Sequence, residues 1–207
     1  MNPIQRFMRL FFHLLYHPFA FTYDLVAATV SFGNWKNWVY SIFPFIKGTR
    51  LLELGHGPGH LQRLLLDRGL APVAIDESTQ MGKIAKRRLG GSQKLSRALA
   101  QQLPFADKSF DTVIATFPTE YIFSKQTLSE VKRCLSDGGR LIVLPAAFPK
   151  SGFLKWLYKV TGESPAALTE SIKTKSLQPF LNAGFHAVVE IVEVKSSTLL
   201  IVIAQKK

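Results

Sequence analysis

From residue 50 onward the apolar positions follow two alternating rhythms. RLLEL (50–54), APVAID (71–76), FDTVIATF (110–117) and RLIVLPA (140–146) are short, nearly continuous apolar runs and read as buried strands. HLQRLLLDRG (60–69), STQMGKIAKRRLGG (78–91) and SKQTLSEVKRCLSDGG (124–139) lie between them and carry apolar residues three and four apart. They read as helices stopped by Gly69, by Gly90 and by Gly138–Gly139, the second with Ser78 as its N-cap. Strands alternating with helices imply an α/β chain with a parallel sheet covered on both faces. The end is different. KSLQPFLNAGF (175–185) predicts a short helix and turn. HAVVEIVEV (186–194) and STLLIVIAQ (197–205) are two strands too close for a parallel crossover, so they predict a hairpin and one antiparallel strand. FLKWLYKV (153–160) reads as helical and TGESPAAL (161–168) as loop.

The N-terminus follows a helical rhythm, with Ile4, Phe7, Met8, Phe11 and Leu15 on one face. His13, His17 and Pro18 interrupt the apolar run and no small-residue cleavage site follows, so a secretory signal is not expected. The uncharged stretch from Leu10 to Tyr23 is shorter than the roughly 20 residues a spanning helix needs. A buried lid or a foot on a membrane or greasy substrate remain as roles.

Composition narrows the class. Of 207 residues, 47% are hydrophobic and 19% charged, which excludes a disordered chain. Lys and Arg outnumber Asp and Glu 26 to 14, which favours contact with something anionic. Lys83, Lys86, Arg87, Arg88, Lys94 and Arg97 carry part of that excess, either as a solvated helix face or as a binding surface. Cys134 is the single cysteine. It permits no internal disulfide and no thiolate metal site, and it suits a reducing, cytoplasmic compartment. No metal is expected.

The chemistry concentrates in LLELGHGPGHL (51–61). Gly55, Gly57 and Gly59 let a ligand approach the backbone between a strand and a helix. The spacing is G-x-G-x-G, with His60 where a dinucleotide fingerprint has its third glycine, and no P-loop Lys follows. Glu53 at the strand end would repel a pyrophosphate and welcome an ammonium group. Asp76, ending the second strand, can accept both hydroxyls of a ribose. An aminoacyl nucleoside without phosphates fits, and S-adenosylmethionine is such a ligand.

These residues resemble the class I S-adenosylmethionine-dependent methyltransferases of the methyltransferase type 11 group. LLELGHGPGHL resembles their first motif and VAIDESTQMGKIAKRRL (73–89) their second strand and following helix. LPFADKSFDTVIATF (103–117) resembles the fourth-strand region, and TLSEVKRCLSDGGRLIVL (127–144) the helix and fifth strand. The resemblance implies a three-layer Rossmann-like fold, with a seven-stranded mostly parallel sheet whose last strand is antiparallel. It also implies a helical cap, residues 1–48, over an active site in a domain of residues 49–207. Leu99 stands in RALAQQLPF (97–105) where the family often has an acid for the adenine amino group. TYDLVAATVSFGNW (22–35) is similar to the N-terminal segment of the ubiquinone/menaquinone biosynthesis C-methyltransferases, with Tyr23, Asp24, Leu25, Ser31, Phe32, Gly33 and the later Trp38 in register. That likeness implies Tyr23 over the cofactor and a hydrophobic quinol acceptor. The implied cofactor contacts are Tyr23, Glu53, Gly55, His56, Gly57, Gly59, Asp76, Glu77, Met81, Ala100, Gln101 and Thr116.

The expected activity is methyl transfer to a small, hydrophobic acceptor, quinol-like or lipid-like, with Glu120, Tyr121 and His60 as candidate bases. The basic balance and residues 1–20 suit an anionic membrane at its inner face. The competing readings are a nucleic-acid methyltransferase and a non-catalytic cofactor-binding or membrane-surface protein. FPTEYI (117–122) lacks the Asn/Asp-Pro-Pro-aromatic motif of base amino-group methylation, which counts against the first.

Overall fold

LLEL and VAID lie inside the sheet, paired on both sides, because nothing in them needs water except the acid near each end. In the computed structural model, which describes residues 35–90, 94–149, 174, 176–194 and 197–207, all four residues of β1 (Leu51–Leu54) are buried. The elements run α1 (Trp35–Tyr40), a 3-10 turn (Phe43–Phe45), β1, α2 (His60–Leu66), β2 (Val73–Asp76), α3 (Thr79–Leu89), β3 (Leu95–Arg97) and β4 (Phe110–Thr116). A second 3-10 turn (Glu120–Phe123), α4 (Lys125–Cys134), β5 (Leu135–Pro149), a short helix at 176–182, β6 (Phe185–Val194) and β7 (Ser197–Lys206) complete them. The seven strands lie in the order β3-β2-β1-β4-β5-β7-β6. β1 to β5 are parallel, and β7 runs antiparallel to both β5 and β6. The expected hairpin is β6–β7, and its late strand is the antiparallel one.

The pleat sorts the apolar residues into two cores. Leu52, Leu54, Val113, Ala115, Leu141, Val143, Val202 and Ala204 point to one face and meet Leu128, Val131 and Cys134 of α4. Leu51, Ile114, Ile142, Leu144, Leu199 and Ile201 point to the other, against Trp38, Val39 and Ile42 and against Leu61, Leu64 and Leu65 of α2. Cys134 is buried, and burial pushes its thiol pKa up, so it packs as a small hydrophobe. The N-terminal segment before residue 35 and the stretch 153–168 lie outside the described residues.

Two local expectations change. The helix read as running to Gly138–Gly139 ends at Cys134. Leu135 is buried, is already extended and pairs with Phe110 of β4. The two glycines instead serve an irregularity in β5: Gly138 has φ 72, and a Cβ on Gly139 would sit 2.9 Å from the Ser136 carbonyl. β3 was not expected as a strand. It is a three-residue edge whose Ser96 and Arg97 are exposed, so no apolar run marks it.

Ser78 does cap α3, its Oγ accepting from the Met81 N–H at 3.3 Å, and Gly90 closes it at φ 84. Ser78 is almost fully buried. Ser78→Ala is therefore expected to lower stability by about 1 kcal/mol in urea unfolding, because the buried Met81 N–H loses its acceptor. An unchanged midpoint would contradict this.

The loop between β3 and β4 is held from below. Arg133 donates to Glu130, to Asp107 and to the carbonyls of Leu103 and Phe105, while Glu130 accepts from the Leu103 N–H. That network anchors the chain just after Ala98–Gln101, which forms one wall of the site.

Candidate functional site

A cleft opens at the carboxyl edge of the sheet, where strand order reverses about β1 and ligands of open α/β sheets bind. Its walls are the glycine loop (Gly55, Gly57), the end of β2 (Ile75 to Ser78), the segment Ala98 to Gln101, and the chain leaving β4 (Thr116 to Thr119, then Tyr121). A smaller hollow lies around the same loop, lined by Trp35, Glu53, His56, Pro58, His60 and Leu61 and sharing Gly55, Gly57 and Thr116 with the cleft.

The loop is shaped by backbone bonds. The Gly55 and His56 N–H groups both donate to the Ile75 carbonyl, at 2.8 and 3.1 Å. Asp76 then clasps the next turn. Its Oδ2 accepts from the Gly57 N–H and its Oδ1 from the Ser78 N–H, each at 2.8 Å. This fixes the carboxylate at the cleft wall and leaves its oxygens further lone pairs for a diol.

The three glycines have different reasons. All have positive φ, at 70, 51 and 82°. A Cβ on Gly57 would meet nothing within 4 Å, so open space lies over it. On Gly55 it would lie 2.7 Å from the Tyr121 hydroxyl, which donates to the Leu54 carbonyl at 3.2 Å. On Gly59 it would press against Leu89 and Ala85 at 3.0 and 3.2 Å. Gly59 therefore serves close packing of α2 on α3 rather than approach of a ligand.

Glu53 is 1% exposed and accepts from Gln62 Nε2 at 2.7 Å. Burial pushes its pKa up to about 8, against the pull of the Gln62 bond, and Asp76 adds to the rise. Without a cation beside it, Glu53 holds its proton at pH 7. The folded chain thus binds this proton more tightly than the unfolded chain. The contribution to stability is complete below the ordinary carboxylate range and is lost as pH rises through about 8. Urea midpoints of the ligand-free protein are expected to fall between pH 6 and pH 9, and Glu53→Gln is expected to reduce that slope. Parallel profiles for the two proteins would contradict it. His56 is buried too; burial lowers its pKa, and its Nδ1–H donates to the Gly57 carbonyl at 2.7 Å, so the ring is neutral.

Most of the expected residues come together. Glu53, Gly55, His56, Gly57, Asp76, Glu77, Ala100, Gln101 and Thr116 line the cleft or the hollow, as do Tyr121 and His60. Three do not. Met81 is fully buried and absent from both walls, because it shares the inner face of α3 with Ala85 and Leu89. Gly59 lies behind the loop. Glu120 is exposed on the 3-10 turn, while its neighbours Thr119 and Tyr121 face the cleft. His60 lines the hollow, but its Nε2 lies 3.2 Å from Arg88 Nη1, a permanent donor, which occupies the lone pair a base would use. Its ring also packs on Trp35, centroids 4.8 Å apart. Tyr23 lies outside the described residues.

Sequence reasoning missed Phe117 and Pro118. Phe117 takes φ 50 at the strand end, its N–H held by the Leu144 carbonyl at 2.7 Å and its ring 5.9 Å from Trp38. No glycine marks this left-handed residue.

Leu99 is 51% exposed and forms part of the wall beside Ala100 and Gln101. An acid there would gain an acceptor for an exocyclic amino group. Leu99→Asp is expected to tighten S-adenosylhomocysteine binding by roughly fivefold, the worth of about one net hydrogen bond. Calorimetry giving an unchanged dissociation constant would count against it.

The chemistry of this donor set fits a nucleoside on the Asp76 side and an ammonium on the Glu53 side. No cation is within ion-pair distance of Glu53 among the described residues, so its carboxyl is left for a ligand's positive group. Among the described residues no group of three or more His, Cys, Asp or Glu could hold a metal, and no helix is long and apolar enough to cross a membrane.

Residues 52–143 match the methyltransferase domain family. A demethylmenaquinone methyltransferase from Renibacterium salmoninarum is 31% identical over 171 residues, covering 80% of this chain and 72% of the relative. The ubiquinone/menaquinone biosynthesis C-methyltransferase UbiE of Haemophilus ducreyi is 31% identical over 206 residues, covering 84% and 80%. Among solved structures, a putative S-adenosylmethionine-dependent methyltransferase from Methanococcus maripaludis aligns with a TM-score of 0.61 at 16% identity, covering 91% of this chain and 92% of that one.

Proposed function

Because the chain belongs to the class I S-adenosylmethionine-dependent methyltransferases and uses S-adenosylmethionine as its methyl donor, we propose that its acceptor is the ring carbon of a hydrophobic hydroquinone. The observation that carries the donor site is the division of labour around one loop, with the buried acid Glu53 on one side of Gly55–Gly57 and the clasped acid Asp76 on the other. Asp76 accepts the ribose hydroxyls, with Glu77 beside it. Ile75, Ala98, Leu99 and Ala100 bound the flat base, and Gln101 and backbone groups meet its polar edge. Glu53 holds the ammonium, with His56 and Thr116 alongside. Tyr23 covers the donor's sulfonium.

When bound, the donor supplies an electrophilic methyl on a sulfonium sulfur. The residues here align the acceptor and exclude water. The ring carbon of the hydroquinone forms the new C–C bond as the C–S bond breaks, the sulfur leaves as a neutral thioether, and the ring carbon's proton is lost to a base. Of the three candidates, Tyr121 is the one that lines the cleft; Glu120 and His60 rank below it. Phe117, Pro118 and Leu99 give the mouth an apolar lip suited to an aromatic ring with a greasy tail. The acceptor class is supported by the two relatives named above.

The single Cys134 suits the cytoplasm, and the positive balance suits the inner face of an anionic membrane, with residues 1–20 in contact and residues 1–48 as the cap. Trp35, lining the hollow, supports the cap reading. The test is transfer of radiolabelled methyl from S-adenosylmethionine to a reduced demethylmenaquinone analogue, a phospholipid and transfer RNA in parallel. Label in the quinol supports the proposal. Label in lipid or RNA alone overturns the acceptor.

A further inference from the structure

Gln62 is a buried polar side chain at the donor site that the function above leaves without a task. It lies on α2, fully buried, and donates from Nε2 to Glu53 Oε2 at 2.7 Å. Its Oε1 is also buried and has no hydrogen-bond partner among the described residues. A buried amide with one satisfied end is costly, and such an atom calls for an explanation. Beside it stands an acid that must exist in two forms. Alone in this pocket Glu53 carries a proton. Beside an ammonium it must be ionised.

The surroundings leave the ligand as the source of the positive charge. From the loop, His56 is held neutral by burial and its Nδ1–H is spent on the Gly57 carbonyl. From β2, Asp76 contributes negative charge. From α2, His60 accepts from Arg88 and packs at a tilt against Trp35 of α1. Thr116, leaving β4, has no charge.

A primary amide offers what a titrating carboxyl needs. Its NH₂ donates to the Glu53 carboxyl, a bond that is strongest to the ionised form. We propose that Gln62 is a positioning residue that couples donor binding to proton release: its Nε2, already donating to Glu53 Oε2, favours the carboxylate and so eases loss of the Glu53 proton when the donor's ammonium arrives. The proton balance is explicit. The ammonium enters with its protons, the Glu53 carboxyl gives one proton to solvent, and an ion pair replaces the neutral carboxyl. The proposal rests on the assignment of Glu53 to the ammonium.

The test is calorimetric titration of the full chain with S-adenosylhomocysteine in phosphate and in Tris, whose ionisation enthalpies differ. At pH 7 the wild type is expected to release a proton on binding, the release shrinking toward pH 9 as Glu53 empties beforehand. Glu53→Gln should release none. Gln62→Leu keeps the volume and removes both amide ends. It should weaken binding about tenfold at pH 7, with the deficit narrowing toward pH 9, because the bond favouring the carboxylate is gone. A merely structural Gln62 would weaken binding equally at every pH, and that result overturns the proposal. So does wild-type binding with the same enthalpy in both buffers, a measurement that needs no variant to fold. Failure of the ligand to bind at all would instead strike the site assignment.

Discussion

Asp76→Ala is expected to weaken S-adenosylmethionine binding by at least a hundredfold. Two hydroxyls of a ribose donating to one carboxylate are charge-assisted bonds of about 1.5–3 kcal/mol each. Loss of about 3 kcal/mol or more corresponds to more than two decades in affinity. The effect has a second source in this chain. Asp76 also holds the Gly57 and Ser78 N–H groups, so its removal loosens the glycine loop and the start of α3 together. Asp76→Asn disturbs both in milder form. Its one carbonyl can accept from a single amide, and its NH₂ faces the other donor, so the loop is strained although the volume is kept. Both variants should bind poorly, the alanine more so. Equilibrium dialysis with either variant within threefold of wild type would remove Asp76 from the site.

The second large effect separates the glycines. Gly57→Ala adds a methyl that touches nothing in the ligand-free protein. Its cost to folding is the strain of a left-handed φ, about 1–2 kcal/mol, yet the methyl stands where the donor must come down on the backbone. Cofactor binding should fall at least thirtyfold while the chain stays folded. Gly55→Ala behaves oppositely. The added Cβ would lie 2.7 Å from the Tyr121 hydroxyl, which is tied to the Leu54 carbonyl, so this variant pays in stability first. Adding Tyr121→Phe, which deletes that hydroxyl, should recover part of the lost stability in urea unfolding. Gly57→Ala that binds the donor normally, or Gly55→Ala that is fully stable, would contradict the geometry.

The central strands were legible because their burial on both faces leaves continuous apolar runs. The hairpin was legible because so short a link allows nothing else. β3 was not, since an exposed three-residue edge needs no apolar pattern. The overlong helix came from reading two glycines as a stop when they bend a strand. At the site, Glu53, Gly57 and Asp76 could be read from spacing, as one strand end, one loop and the neighbouring strand end must meet. Family likeness put Met81 near adenine; the structure shows its side chain fully buried with Ala85 and Leu89 on the inner face of α3. Phe117 carried no signal, because its left-handed backbone is imposed by the carbonyl of Leu144 and the packing of Trp38 rather than by its own residue type. Gln62 reads as an ordinary polar helix residue until its burial beneath Glu53 is seen.

The most direct measurement is a crystal structure of this chain grown with S-adenosylhomocysteine. The account predicts the ribose hydroxyls on Asp76, the base between Ile75 and Leu99, and the ligand's ammonium within hydrogen-bond distance of Glu53. A ligand whose aminoacyl end points away from Glu53, or whose ribose misses Asp76, would contradict it.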